Sequence, residues 1–127
     1  MLAVDTNVLI RVMIQDDAGQ YKAAAATIEE GGWVSHVVLA EAMWVIKRIY
    51  DRSPAQLALL IKNLLTHESL VLEDSDVVED ALTEFKRKPK LGFSDCLVLA
   101  IARAAGHTPL ATFDKALAKL ANTELVR

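Results

Sequence analysis

One cysteine in 127 residues, Cys96, leaves no partner for an intrachain disulfide and suits a reducing compartment. No uncharged apolar stretch approaches the roughly 18 residues that a membrane span requires. The opening residues lack a basic region ahead of their apolar run and reach an acid at Asp5, unlike a secretory signal. These absences point to a soluble cytoplasmic domain. Positive charge is not in excess either: 14 Lys and Arg against 17 Asp and Glu give a net charge of -3. That argues against a protein holding nucleic acid by bulk electrostatics, though it leaves room for a local basic patch. Aromatic residues are only 6% and form no interleaved platform for stacking bases, so Trp33 and Trp44 read as core or interface residues. Repeats, low-complexity tracts and linkers are missing, and a single domain over residues 1–127 is expected, long enough to bury a core. Apolar residues, in contrast, make up 53% of the chain, against about 45–50% on average. A partner is therefore expected to cover part of the surface.

The run Met1-Leu2-Ala3-Val4 stops abruptly at Asp5-Thr6-Asn7. Apolar without alternation, it reads as a buried central strand of a parallel sheet, and Asp-Thr-Asn supplies N-cap chemistry for a helix over 8–13. Further helices are expected over 18–30, 37–50, 55–65, 74–88, 94–105 and 115–121, and strands over 33–35, 70–72, 108–112 and 124–126. Gly31-Gly32 and Gly106 stop helices, while Ser53 and Pro54 open one as N-cap and first helical residue. Alternating helices and strands argue for the α/β class, as a three-layer α/β/α sandwich around a central parallel sheet. In such a sheet ligands bind beyond the carboxyl ends of the strands, where Asp5 would stand.

Most acids lie in polar runs such as Asp16-Asp17, Glu29-Glu30 and residues 73–80, but Asp5, Glu41, Asp95 and Asp114 do not. Asp5 and Asp114 each end an apolar strand and can cap the next helix; Asp95 can act as a first-turn acid. Glu41 is too far into its helix to cap it. Its helical neighbours are Val37, Val38, Trp44 and Val45, none of which can pair with it, so it is expected to be buried. Burying an unpaired carboxylate costs several kcal/mol or forces protonation, unless Arg11, Lys47 or Arg48 meets it. All four acids can meet at the carboxyl end of one sheet. Two carboxylates about 4 Å apart repel by roughly 4 kcal/mol at an effective dielectric near 20, so such a cluster wants a cation.

No histidine or cysteine stands at ligand spacing; His36, His67 and His107 read as surface or helix-end residues, and Cys96 as packing. All-oxygen ligands select Mg2+ or Mn2+ over Zn2+. An acid-lined divalent site that keeps several waters is what phosphodiester hydrolysis requires. Thr6, Asn7, Ser94 and Thr112 are placed to orient carboxylates or waters, or else serve as turn and cap residues.

Asp5-Thr6-Asn7 after a strand, a lone Glu41 in an apolar helix, Phe93-Ser94-Asp95 opening another and Thr112-Phe113-Asp114 after a strand together resemble the PIN domain. In size and order the chain resembles, more narrowly, the VapC-type toxins of bacterial toxin-antitoxin pairs. The resemblance covers essentially the whole chain. It implies a PIN-like, Rossmann-like fold and a Mg2+- or Mn2+-dependent endoribonuclease. The acidic quartet would be Asp5, Glu41, Asp95 and Asp114, assisted by Thr112. It also implies a homodimer, neutralised by a cognate antitoxin lying in an apolar groove near the active site. Gly92 and Ala116 depart from the pattern, since many relatives carry acids there, and this bears on whether a second metal position is filled. Lys86-Arg87-Lys88-Pro89-Lys90, Arg11 or Arg48 could hold RNA phosphates, the first being otherwise a solvated helix end. Two other readings stand beside this one. A haloacid-dehalogenase-like phosphatase would want an aspartate where Asn7 stands; a non-catalytic PIN-like binding domain would use the acids only structurally.

Overall fold

The apolar opening of the chain becomes a strand of two residues, β1 (Leu2–Ala3), and the helix behind it starts at once: Asp5 is the N-cap of α1 (Thr6–Met13). The computed structural model describes residues 1–127 and divides them into two compact units, Met1–Ser75 and Asp76–Arg127. After α1 the first unit continues with α2 (Ala18–Thr27), β2 (Gly32–Val34), α3 (His36–Tyr50), α4 (Pro54–Leu65) and β3 (Leu70–Leu72). Its three strands are all parallel, in the order β1-β2-β3, with Ala3 opposite Trp33 and Trp33 opposite Val71.

The central strand of this sheet is thus β2, and β1 lies at its edge. Met1 and Leu2 are exposed and only Val4 of the opening run is buried, contrary to the buried central strand expected. An unbroken apolar run of four residues carries no alternation to say which side chains turn inward.

Each helix reaches the core along one stripe. In α3 the buried residues are Leu39, Ala42, Met43 and Ile46, and in α4 Leu57, Ala58, Ile61 and Leu64, the spacing of a single helical face. Helix α4 begins with a reciprocal capping box, in which Ser53 Oγ accepts the Gln56 N–H at 3.2 Å and Gln56 Oε1 accepts the Ser53 N–H at 2.8 Å. Helix α1 packs on both α2 and α3.

The second unit is built on α5 (Ser75–Arg87), whose first residue belongs to the first unit, and on α6 (Phe93–Ala105), joined by a 3-10 turn at Pro89–Leu91. Phe85 and Phe93 meet edge to face, ring centroids 6.0 Å apart. Strands β4 (Leu110–Thr112) and β5 (Thr123–Leu125) pair in parallel, Leu110 opposite Thr123 and Thr112 opposite Leu125. The helix expected over 115–121 is only a 3-10 turn, Leu117–Lys119, because Leu120 turns extended (ψ 157°) before a second turn can repay the cost of starting a helix. The α/β class and the parallel pairing are as the sequence indicates.

One close approach holds the strand end near Asp5. A Cβ at Gly32 would come within 2.8 Å of Val4 Cγ2 and 3.2 Å of Leu70 Cδ2. Gly32→Ala is therefore expected to lose about 1–3 kcal/mol by overpacking, read from urea unfolding; an unchanged midpoint would show that Val4 has room to retreat.

Candidate functional site

In the first unit two of the expected acids are placed. The Asp5 backbone continues from β1, and its Oδ1 accepts the Thr6 N–H at 2.8 Å while its carbonyl accepts the Leu9 N–H at 3.0 Å. Asp5 is exposed and Thr6 is buried beneath it. Asn7 is exposed on the first turn of α1.

Glu41 lies on α3, two turns in from the N-cap Ser35, and it is exposed, not buried as expected. Its apolar helical neighbours are a false sign of burial because two of them, Val37 (75% exposed) and Trp44 (56%), face solvent themselves. None of the basic residues considered as partners holds it. Arg11 pairs with Asp16 at 3.1 Å and donates to the Tyr50 hydroxyl at 3.3 Å, and Arg48 lies over the Trp44 ring at 5.1 Å. Neither tryptophan is buried: Trp33, on β2, is also exposed.

A further acid in this unit is one that the sequence pattern does not single out. Glu73 directly follows β3, and its Oε1 accepts the His36 N–H at 2.8 Å, capping α3 across the carboxyl edge of the sheet. His36 Nδ1 lies 3.7 Å from the same oxygen, and its buried Nε2 has no partner. Glu73 stands at the head of an acid-rich run, which hides it; its place immediately after an apolar strand, as with Asp5, is the available signal.

The second unit holds the other two acids. Asp95 is half-buried in the first turn of α6, where the unpaired N–H groups of a helix favour negative charge. Burial first, then the charges of Glu84 and Asp95, push the Cys96 thiol up to about 11, so it stays protonated and inert at neutral pH. Asp114 follows β4 by way of Phe113. Its Oδ1 accepts the Ala116 N–H at 2.8 Å and the Leu117 N–H at 3.0 Å, and its own N–H donates to Thr112 Oγ1 at 3.0 Å. Thr112 thus fixes the turn that presents the carboxylate. Ser94 is half-buried beside Asp95, and residues 86–90 are all exposed.

The acids are divided two and two between the units, and within neither unit do three or more His, Cys, Asp or Glu side chains stand at metal-holding separation. The donors are nonetheless of the right kind. Asp5 and Asp114 each commit one oxygen to backbone N–H groups, which orients the carboxylate and leaves its second oxygen for a hard cation.

Gly92, one of the two departures from the acidic pattern, has φ +80° and ψ 148°. Space is not the obstacle, since a Cβ there would touch nothing within 4 Å, but this backbone conformation is one that residues with side chains rarely adopt. Gly92→Asp and Gly92→Ala are both expected to lose about 1–3 kcal/mol in chemical denaturation. Wild-type stability in the Asp variant would show that the backbone adapts and that the missing acid has no conformational cause.

No helix is long and apolar enough to cross a membrane. No curated protein is significantly similar to the chain. Among solved structures, the chain is similar to VapC20 of Mycobacterium tuberculosis, a Sarcin-Ricin loop cleaving toxin, with 18% identity over 98% of each chain and a TM-score of 0.44. The family match is broader in consequence: the sequence pattern of the PIN domain fits residues 2–123, and the chain belongs to the PIN domain family.

Proposed function

We propose that this protein is a Mg2+- or Mn2+-dependent endoribonuclease, the toxin of a type II toxin-antitoxin pair, acting on RNA in the cytoplasm as a homodimer restrained by a cognate antitoxin. The observation that carries this reading is the PIN domain match over residues 2–123. The orientation of the two strand-end carboxylates supports it. We propose one domain with a single set of catalytic acids, Asp5, Glu41, Asp95 and Asp114, which also hold the cation.

Each residue has a task in this scheme. Asp5 and Asp114 are held by backbone N–H groups at 2.8 Å, so neither has to be ordered when the substrate arrives. Asp95 sits where the first turn of α6 offsets its charge. Glu41, exposed and engaged by none of the neighbouring cations, can reach a substrate phosphate's metal or accept the proton of the attacking water. Thr112 steadies Asp114 by accepting its N–H. A divalent cation, when bound, would lower the pKa of a water and neutralise charge on the departing oxygen. Asn7 argues against the phosphatase reading, because an amide can serve neither as the second nucleophilic acid nor as its proton donor.

Asp5→Asn and Asp95→Asn are expected to cut RNA cleavage roughly 100- to 1000-fold while leaving the circular dichroism spectrum unchanged. Cleavage that persists in both, or that ignores chelator, would refute the assigned roles. Mn2+ at about 100 times its dissociation constant should add about 2.7 kcal/mol of stability, seen as a higher Tm that the Asp5→Asn change removes. Expression should arrest growth, and Asp5→Asn should relieve it; harmless expression of active enzyme would defeat the toxin assignment.

A further inference from the structure

Helices α1 and α2 flank an open cleft of about 440 Å3 that no role so far assigned uses. Its polar lining comes from Asn7, Arg11, Gln20 and Thr27, and Val8, Ala23 and Ala24 supply an apolar wall. The size is within the roughly 300–1,000 Å3 usual for small-molecule sites. The cleft lies wholly in the first unit and starts next to a catalytic acid: Asn7 follows Asp5 by two residues, so their Cα atoms are within about 7 Å.

The chemistry of the lining narrows the occupant. Arg11 is the one cation there, and its charge is already met by Asp16 at 3.1 Å, with Tyr50 OH at 3.3 Å holding the same Nη1. A phosphate would find no surplus of positive charge. The Thr27 hydroxyl is spent on the Ala23 carbonyl at 2.9 Å. Arg11 Nη2 and Nε can still donate, but the side chains that offer both a donor and an acceptor are two amides, Asn7 and Gln20. Gln20 is mounted on a fixed backbone, because its N–H is tied to the Asp17 carboxylate at 3.0 Å. A neutral, flat group with alternating donors and acceptors on its edge and apolar faces matches this lining.

We propose that the α1–α2 cleft receives an unpaired nucleobase of the RNA substrate, next to the nucleotide being cut, and that Gln20 and Asn7 read its edge. Single-stranded RNA is recognised in this way, by bases splayed out and hydrogen-bonded on their exposed edges. The proposal rests on the ribonuclease reading and adds to it the source of base preference.

The test uses the full chain, with Gln20→Ala to remove one amide and Ala23→Phe to fill the cleft from an exposed position. Neither residue belongs to the catalytic set. RNA ends sequenced after digestion should show a preferred base at a fixed offset from the cut. The preference should fall roughly 10-fold in Gln20→Ala and vanish in Ala23→Phe, while cutting at other sites continues. In parallel, a short single-stranded oligoribonucleotide added to the parent protein in chelator should shift the NMR signals of the Asn7 and Gln20 side-chain amides. The same cleavage sites in the same proportions in parent and variants, with amide signals that do not move, would overturn the proposal and leave the ribonuclease standing. Shifted amides in a parent protein that cuts no RNA would keep the cleft as a base site and overturn the ribonuclease. Neither cutting nor shifts would overturn both.

Discussion

A carboxylate oxygen accepting backbone N–H groups just where a parallel strand gives out is the contact on which the acidic positions depend. The leading N–H groups of a helix have no partner of their own, and an acid placed there satisfies one while its charge is favoured by the helix dipole. At Asp5 the acceptor serves Thr6; at Asp114 it serves Ala116 and Leu117. At Glu73 the acid comes from the neighbouring strand and reaches across to His36. Because the backbone itself does the orienting, a carboxylate on a short strand of two or three residues is presented in one direction without a shell of side chains around it.

How much of this is legible in the residues varies with how local the signal is. The start of α4 is fully written in Ser53, Pro54 and Gln56, since a capping box is closed by residues three apart and needs nothing from elsewhere. The caps at Asp5 and Asp114 are legible for the same reason. Glu41 is not: its exposure depends on whether Val37 and Trp44 are themselves covered, and apolar neighbours along a helix cannot say so. Sheet position is equally hidden. Whether β1 is central or at an edge depends on which strands pair with it, a long-range fact that a run of four apolar residues does not contain. Glu73 is visible only as one acid among many, although an acid directly after an apolar strand is the pattern that marks Asp5.

Charge is handled differently in the second unit. Glu84 is 6% exposed, a buried acid that would be costly alone, and it is met from two sides, by Arg103 Nη2 at 3.4 Å and Arg87 Nη1 at 3.2 Å. Arg103 also reaches Asp80 at 3.4 Å and donates to the Ala121 carbonyl at 2.9 Å, so one guanidinium ties α6 to α5 and to the approach to β5. With Glu84 and Asp80 thus engaged, neither is left for the proposed chemistry, which in this unit uses Asp95 and Asp114. The cations at Lys86, Lys88 and Lys90 remain at the surface, from the last turn of α5 into the 3-10 turn, which ends at buried Leu91.

The division at Ser75 also sorts the aromatic residues. Both tryptophans and both tyrosines, Trp33, Trp44, Tyr21 and Tyr50, fall in residues 1–75, and all three phenylalanines, Phe85, Phe93 and Phe113, fall in 76–127. Ultraviolet absorbance near 280 nm and intrinsic emission therefore originate from the first unit alone, and the second is optically silent there. A melting curve tracked by fluorescence carries its probes in the unit of Asp5 and Glu41, and none lies in the unit of Asp95 and Asp114, which is followed directly only through its peptide backbone.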